Sequence, residues 1–97
     1  MPPERKSVPR DPQLAALGEA IEQRIVEIGM SQSSLAGASG IDLRRINDYV
    51  RGQYNPSYRN MRKLCRALKI SVDELMDRAE GLQKELSAGQ QVRPEGG

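Results

Sequence analysis

The stretch QSSLAGASGIDLRRINDYVRG, residues 32–52, decides the fold. Ser31 opens it as an N-cap, because a serine hydroxyl can accept from a first-turn N–H that has no helical partner. Leu35 and Ala36 are the inward residues of this first short helix. Gly40 follows in a tight turn, where the backbone needs a positive φ. Asp42 stands as the N-cap of a second helix with Ile46, Tyr49 and Val50 on its apolar side, and Gly52 stops it. Ala36 falls where the two helices cross, and a larger side chain there would push them apart. Leu35, Ile46 and Tyr49 plug the inside of the angle. The spacing predicts two short helices joined at an angle, the geometry of a helix-turn-helix unit.

Reading outward, Leu14, Leu17, Ile21, Ile25 and Ile28 recur at spacings of three and four and make one helical face. Asp11 before Pro12 supplies an N-cap and an N1 proline, and Gly29 ends this first helix. Gln53 to Pro56 is a polar loop. Ser57 caps a fourth helix with Met61, Leu64, Cys65 and Leu68 inside. Ser71 caps a fifth, with Glu74 completing a capping box and with Leu75 and Met76 following. No segment alternates like a strand, and there is no internal repeat. The expected fold is all-α, five helices with short connections. Residues 1–12 hold four of the six prolines and read as a disordered arm. Residues 13–78 form the domain, and 79–97 an extension of helix 5 that passes into a disordered Gly-, Gln- and Pro-rich tail.

Composition narrows the chemistry. The 97 residues include three Tyr, no Trp and no Phe, so the core must be aliphatic. The lack of His removes imidazole bases, Ser-His triads and His-based metal sites. One Cys allows no intramolecular disulfide and no Cys-only zinc site. There is no Gly-rich phosphate loop and no paired-acid motif, so the chain reads as a non-enzyme without a cofactor. No apolar run approaches the ~18 residues of a membrane span. The charged, Pro-rich start is not a signal peptide, and a cytoplasmic protein is expected.

The net charge of +2 conceals a strong asymmetry. Residues 43–69 carry eight cations against Asp48 alone, while residues 13–42 and 70–97 are each net −3. A basic middle between acidic flanks either attracts a polyanion or is a solvated cationic face.

The ordered series Leu17-Gly18-Glu19, Gly29-Met30-Ser31-Gln32, Leu35-Ala36, Gly40-Ile41, Ile46, Gly52, Pro56-Ser57, Met61, Leu64, Leu68-Lys69-Ile70-Ser71 and Glu74-Leu75 resembles the phage-repressor, or Cro/XRE-type, helix-turn-helix family. The resemblance covers roughly residues 14–77. It implies a five-helix lambda-repressor-like domain that binds double-stranded operator DNA, usually as a homodimer on a palindrome. Two departures stand out. Members commonly pair an Arg in helix 1 with a Glu near the end of the recognition helix, where this chain has Ile25 and Val50. An apolar contact in place of the buried ion pair is expected, a swap often neutral or stabilising when both partners change. Lys69 stands where the family often has a helix-ending Gly, and a left-handed conformation there costs a non-Gly residue roughly 1 kcal/mol.

With Ile46, Tyr49 and Val50 inward, the helical wheel leaves Leu43, Arg44, Arg45, Asn47, Asp48 and Arg51 outside. Arg44, in the first turn, is placed for a bidentate bond to guanine O6 and N7. Leu43 can meet a thymine methyl, and Asn47 a base or a phosphate. Asp48 can accept from a cytosine amino group, or can orient Arg44 or Arg45 a helical turn away. Arg45 and Arg51 fit phosphate contacts. For Gln32 the resemblance implies a phosphate contact and a buttress to the recognition helix. Tyr58 and Arg59 open helix 4, whose free N–H groups favour anions. Tyr54 and Asn55, in the loop before it, are either phosphate contacts or a surface turn. Arg62, Lys63, Arg66 and Lys69 read as steering charges or solvated residues. Cys65 reads as a small buried hydrophobe rather than a redox sensor.

Leu75, Ala79, Leu82 and Leu86 form a stripe on helix 5, either a self-association seam or packing on helix 1. It is too short for a coiled coil, and Gly81 weakens it by about 1 kcal/mol. The leading expectation is a sequence-specific transcriptional regulator, a repressor. The competing one is an antitoxin or protein-interaction adaptor on the same fold, using helix 5 and the tail to hold a partner.

Overall fold

A computed structural model describes the chain over residues 11–91, with side chains over residues 11–85. The expected arm up to Arg10, the tail beyond Gln91 and the Leu86 side chain lie outside the described residues. Five helices follow one another: α1 Pro12–Glu27, α2 Gln32–Ser39, α3 Leu43–Val50, α4 Tyr58–Leu68 and α5 Val72–Gln91. Helix α5 is longer than expected. It runs through Gly81 and past Ala88, where the composition had pointed to a tail.

Side-chain caps set most of the starts. Asp11 accepts from Gln13 N at 2.9 Å, Ser31 from Ser34 N at 3.0 Å and Ser57 from Asn60 N at 3.1 Å. Ser71 accepts from Glu74 N at 3.0 Å, while the reciprocal Glu74 half of the expected box is not made among the described residues. Asp42 is a further correction: it holds the N-cap position of α3 but makes no side-chain cap bond. The α2–α3 turn is organised by Ser39 instead, whose Oγ donates to Ala36 O at 3.4 Å and accepts from Ile41 N at 3.2 Å. Gly40 ends α2 at φ 75°, the left-handed conformation that glycine takes without a Cβ penalty.

The core is aliphatic, with Ile21, Leu35, Ile46, Leu64, Leu68 and Leu75 as its largest fully buried side chains. Each contributes about 1.5–3 kcal/mol relative to an exposed position. Among the described residues no polar or charged residue is fully buried. Helix α1 packs on α5 and α3, α2 on α3 and α4, and α4 on α5. Ala79 is buried and Leu82 packs against the same core, so these two residues of the α5 stripe are spent within the chain. Met76 is 40% exposed: Leu75 takes the inward direction, and its neighbour falls about 100° round the helix.

Ile25 is buried and Val50 packs against the same core, so both positions of the family's ion pair are apolar here. Lys69 adopts φ 57° and ψ 47°, the only non-glycine residue with positive φ among those described. Arg24 ties down this helix end, where carbonyls lack helical partners. Its Nε donates to Leu68 O and its Nη2 to Lys69 O, both at 2.9 Å. Glu27 accepts from Arg24 Nη1 at 3.1 Å and from both Arg78 Nη atoms at 2.7 and 2.9 Å. The chain Arg24–Glu27–Arg78 thus joins α1 to the end of α4 and to α5.

Candidate nucleic-acid interface

Helix α3 presents the candidate surface because its other side is locked. Ile46 is fully buried and Tyr49 nearly so. The Tyr49 hydroxyl also accepts from Asn60 Nδ2 at 2.8 Å, which ties α3 to the first turn of α4. On its far side α3 meets α1 at Gly18. A Cβ there would lie 2.3 Å from Val50 O and 2.6 Å from Tyr49 O, so only glycine lets the two backbones come this close. The position and roll of α3 are fixed from two directions.

What α3 then exposes matches the helical wheel except at Asp48. Arg44, Arg45 and Asn47 are exposed, and Leu43 is 39% exposed although apolar. Asp48 is half-buried and pairs with neither Arg44 nor Arg45 among the described residues, which corrects the expectation that it orients one of them. Arg45 is held from elsewhere: its guanidinium lies over the Tyr54 ring, 5.0 Å from the centroid. A cation over a ring face is attracted by the ring quadrupole, so the 53–56 loop positions an α3 side chain. Tyr54 is 53% exposed, and Asn55 beside it is exposed too.

Tyr58 and Arg59 are exposed in the first turn of α4, with Tyr58 at 73%. The Arg62 guanidinium lies over the Tyr58 ring at 5.9 Å. Arg51 is exposed but lies in a different setting. It lines a groove of about 750 Å³ with Ala15, Glu19, Gln23, Val50, Leu82 and Glu85, so two carboxylates share its surroundings. Gln32 is half-buried and directed to α1, where its Nε2 makes a long 3.5 Å bond to Glu22 Oε1. Its Oε1 is buried without a partner among the described residues. The buttress expected towards α3 is therefore a tie to α1.

The structure brings together Arg45 with Tyr54, Tyr58 with Arg62, and Tyr49 with Asn60. It sets Arg51 apart. The two bonds that position α3 and Arg45 were missed in the sequence, although Tyr49 and Tyr54 are two of only three aromatic residues in the chain. Away from this surface, Glu27 and Cys65 are structural. Hydrogen bonds from Arg78 and Arg24 hold the Glu27 carboxyl below its ordinary range. Burial pushes the Cys65 thiol up, as suits a small core residue.

The chain is similar to several solved regulators. The restriction-modification controller protein C.AhdI from Aeromonas hydrophila is 37% identical, with a TM-score of 0.62 over 64% of this chain and 94% of that one. The clp gene regulator ClgR from Corynebacterium glutamicum is 25% identical, with a TM-score of 0.81 over 87% of this chain and 89% of that one. A point mutant of the restriction-modification controller protein C.Esp1396I is 25% identical, with a TM-score of 0.67 over 81% of this chain and 96% of that one. No curated protein matches the sequence. The helix-turn-helix family model matches residues 21–75, more than half of the chain and all of α2, α3 and α4. The chain belongs to the Cro/C1-type helix-turn-helix family of DNA-binding regulators.

Proposed function

We propose that this protein is a sequence-specific transcriptional repressor that sets α3 into the major groove as a homodimer on a palindromic operator. One observation carries the reading. Helix α3 is locked by Ile46, Tyr49 and the Gly18 contact while Arg44, Arg45 and Asn47 stand exposed on its other side. A rigid helix with exposed arginine forks suits base edges, which are read by bidentate bonds in the major groove.

On this reading Leu43, Arg44, Asn47 and Asp48 meet bases. Arg45, Tyr54, Asn55, Tyr58 and Arg59 meet phosphates, with Gln32 and Arg51 at the margins of that surface. The freedom of Asp48 from Arg44 and Arg45 favours the cytosine amino group as its partner over a positioning role. Phosphate contacts place the protein, and base contacts choose the site. Repression by occupancy needs nothing beyond the bound domain. The descriptions of C.AhdI as a controller protein and ClgR as a gene regulator support a role in gene control. The exposed arginines of α3 and α4 weigh against an adaptor or antitoxin that never touches DNA.

Selection from random-sequence duplex at two salt concentrations tests the reading. The expected result is an enriched palindrome whose affinity falls linearly as log[salt] rises. Salt-sensitive binding without an enriched site would indicate an architectural binder, and an absence of binding a protein partner instead.

A further inference from the structure

Arg59, Arg62, Lys63 and Arg66 stand at positions i, i+3, i+4 and i+7 of α4 and so share one face. All four are exposed, and none makes an ion pair among the described residues. With Tyr58 they line a groove of about 300 Å³ whose wall holds no carboxylate among the described residues. The whole helix, YRNMRKLCRAL, contains no acid.

This arrangement works against the isolated protein. Four pairs of like charges lie a helical turn apart (59 with 62 and 63, 66 with 62 and 63), and each pair disfavours the helix. Arg59, in the first turn, also sits near the positive end of the helix dipole, the wrong end for a cation. An ordinary solvated face relieves such strain by mixing acids among the bases. The chain does so elsewhere, where Arg24 and Arg78 both hold Glu27. On α4 the relief has to come from outside, and the chemistry asks for a row of anions.

The stripe begins in the first turn of α4, the turn that is tied to α3. Arg59 adjoins Asn60, whose side chain is bonded to Tyr49 of α3. From there it runs along α4 for roughly 10 Å at about 1.5 Å per residue. Phosphates succeed one another at about 3.4 Å of axial rise per strand, so the stripe can span two or three of them. Arg62, lying over Tyr58, holds its guanidinium at the groove, where its fork suits a phosphate.

We propose that this face of α4 is a second DNA-backbone surface, which takes phosphates flanking the half-site read by α3. The proposal rests on the DNA-binding reading above. It adds Arg62, Lys63 and Arg66 to the contact surface and extends the footprint beyond the bases that are read.

The test compares wild type with a triple variant, Arg62→Gln, Lys63→Gln and Arg66→Gln, which leaves Arg59 in place. Each is titrated by fluorescence anisotropy against the selected site. One duplex is trimmed to the enriched bases, and the other carries about one helical turn, roughly 10 base pairs, on each side. Wild type, whose two protomers together gain about four to six phosphates, should bind the long duplex about tenfold more tightly, with a log–log salt slope steeper by about 4–5. The variant should bind both duplexes alike and enrich the same site. Its melting temperature should equal or exceed that of wild type, because the like-charge pairs are gone. The proposal is overturned if wild type shows no length dependence or if the variant keeps it. In either of those cases the DNA-binding reading stands, and an acidic protein becomes the partner the stripe fits. If wild type binds no duplex, the DNA-binding reading itself fails and takes this proposal with it.

Discussion

Replacing Gly18 by alanine tests how closely α1 and α3 are fitted. The new Cβ would lie 2.3 Å from Val50 O, 2.6 Å from Tyr49 O and 2.8 Å from Val50 C, all backbone atoms that no side-chain rotation can move aside. A carbon meets a carbonyl oxygen comfortably at about 3.3 Å, so the end of α3 must retreat by roughly 1 Å. Overpacking of this kind costs about 1–3 kcal/mol, and contact with backbone on two residues puts it at the upper end. Exchanging glycine for alanine inside a helix returns about 0.8–1 kcal/mol. The net loss is about 2 kcal/mol, or roughly 8–16 °C in melting temperature for a domain of this size. Gly81→Ala is the internal control. It lies in α5 with nothing within 4 Å of its added Cβ, so only the propensity gain remains. It should melt about 4–8 °C higher than wild type. Thermal melts followed by circular dichroism at 222 nm read both. A Gly18→Ala protein as stable as wild type would refute the argument. Because the retreat moves the helix that carries Arg44, Gly18→Ala should also bind its site more weakly while still folded.

Three further predictions follow from the packing of the helices. Glu27 is depressed in the folded state by Arg78 and Arg24, so its stabilising share is present above the unfolded carboxylate range and lost as pH falls through the folded value. The melting difference between wild type and Glu27→Gln should therefore be seen at pH 7 and close in acid; a difference unchanged down to pH 2 would contradict the network. Lys69→Gly relieves a left-handed lysine and should stabilise by about 0.5–1 kcal/mol in a urea titration, since its carbonyl still accepts from Arg24. Cys65 is buried with a raised pKa, so a thiol reagent should modify it only at the rate of unfolding, and rapid labelling of the native protein would count against its core position.

The fold was legible wherever local rules decide it. Ser31, Ser57 and Ser71 cap helices because their hydroxyls reach a neighbouring N–H, and Gly40 turns the chain because of its own φ. The core of α1 and α4 is visible in a period of three and four. What sequence spacing does not reveal are contacts that the fold itself creates. Arg24 reaches Leu68 and Lys69 across more than forty residues, so nothing near Lys69 announces its support. Gly18 looks like a weak point in a helix until α3 is laid against it. Asp42 shows the opposite failure: the residue type is right for a cap, but Ser39 takes over the turn and the carboxylate makes no cap bond. In the candidate site, exposure on α3 follows from the wheel. The stacking of Arg45 on Tyr54 does not, because it depends on where the 53–56 loop returns.

The central claim is that α3 reads bases, and Arg44→Ala tests it most directly. Arg44 is exposed in the first turn of α3 and makes no ion pair among the described residues, so the variant should fold as wild type does. Parallel site selections with the two proteins should agree at every position of the palindrome but one in each half. There the preference for guanine should relax, at a cost of about 1–3 kcal/mol on the wild-type site. Identical selected sites for the two proteins would contradict the claim.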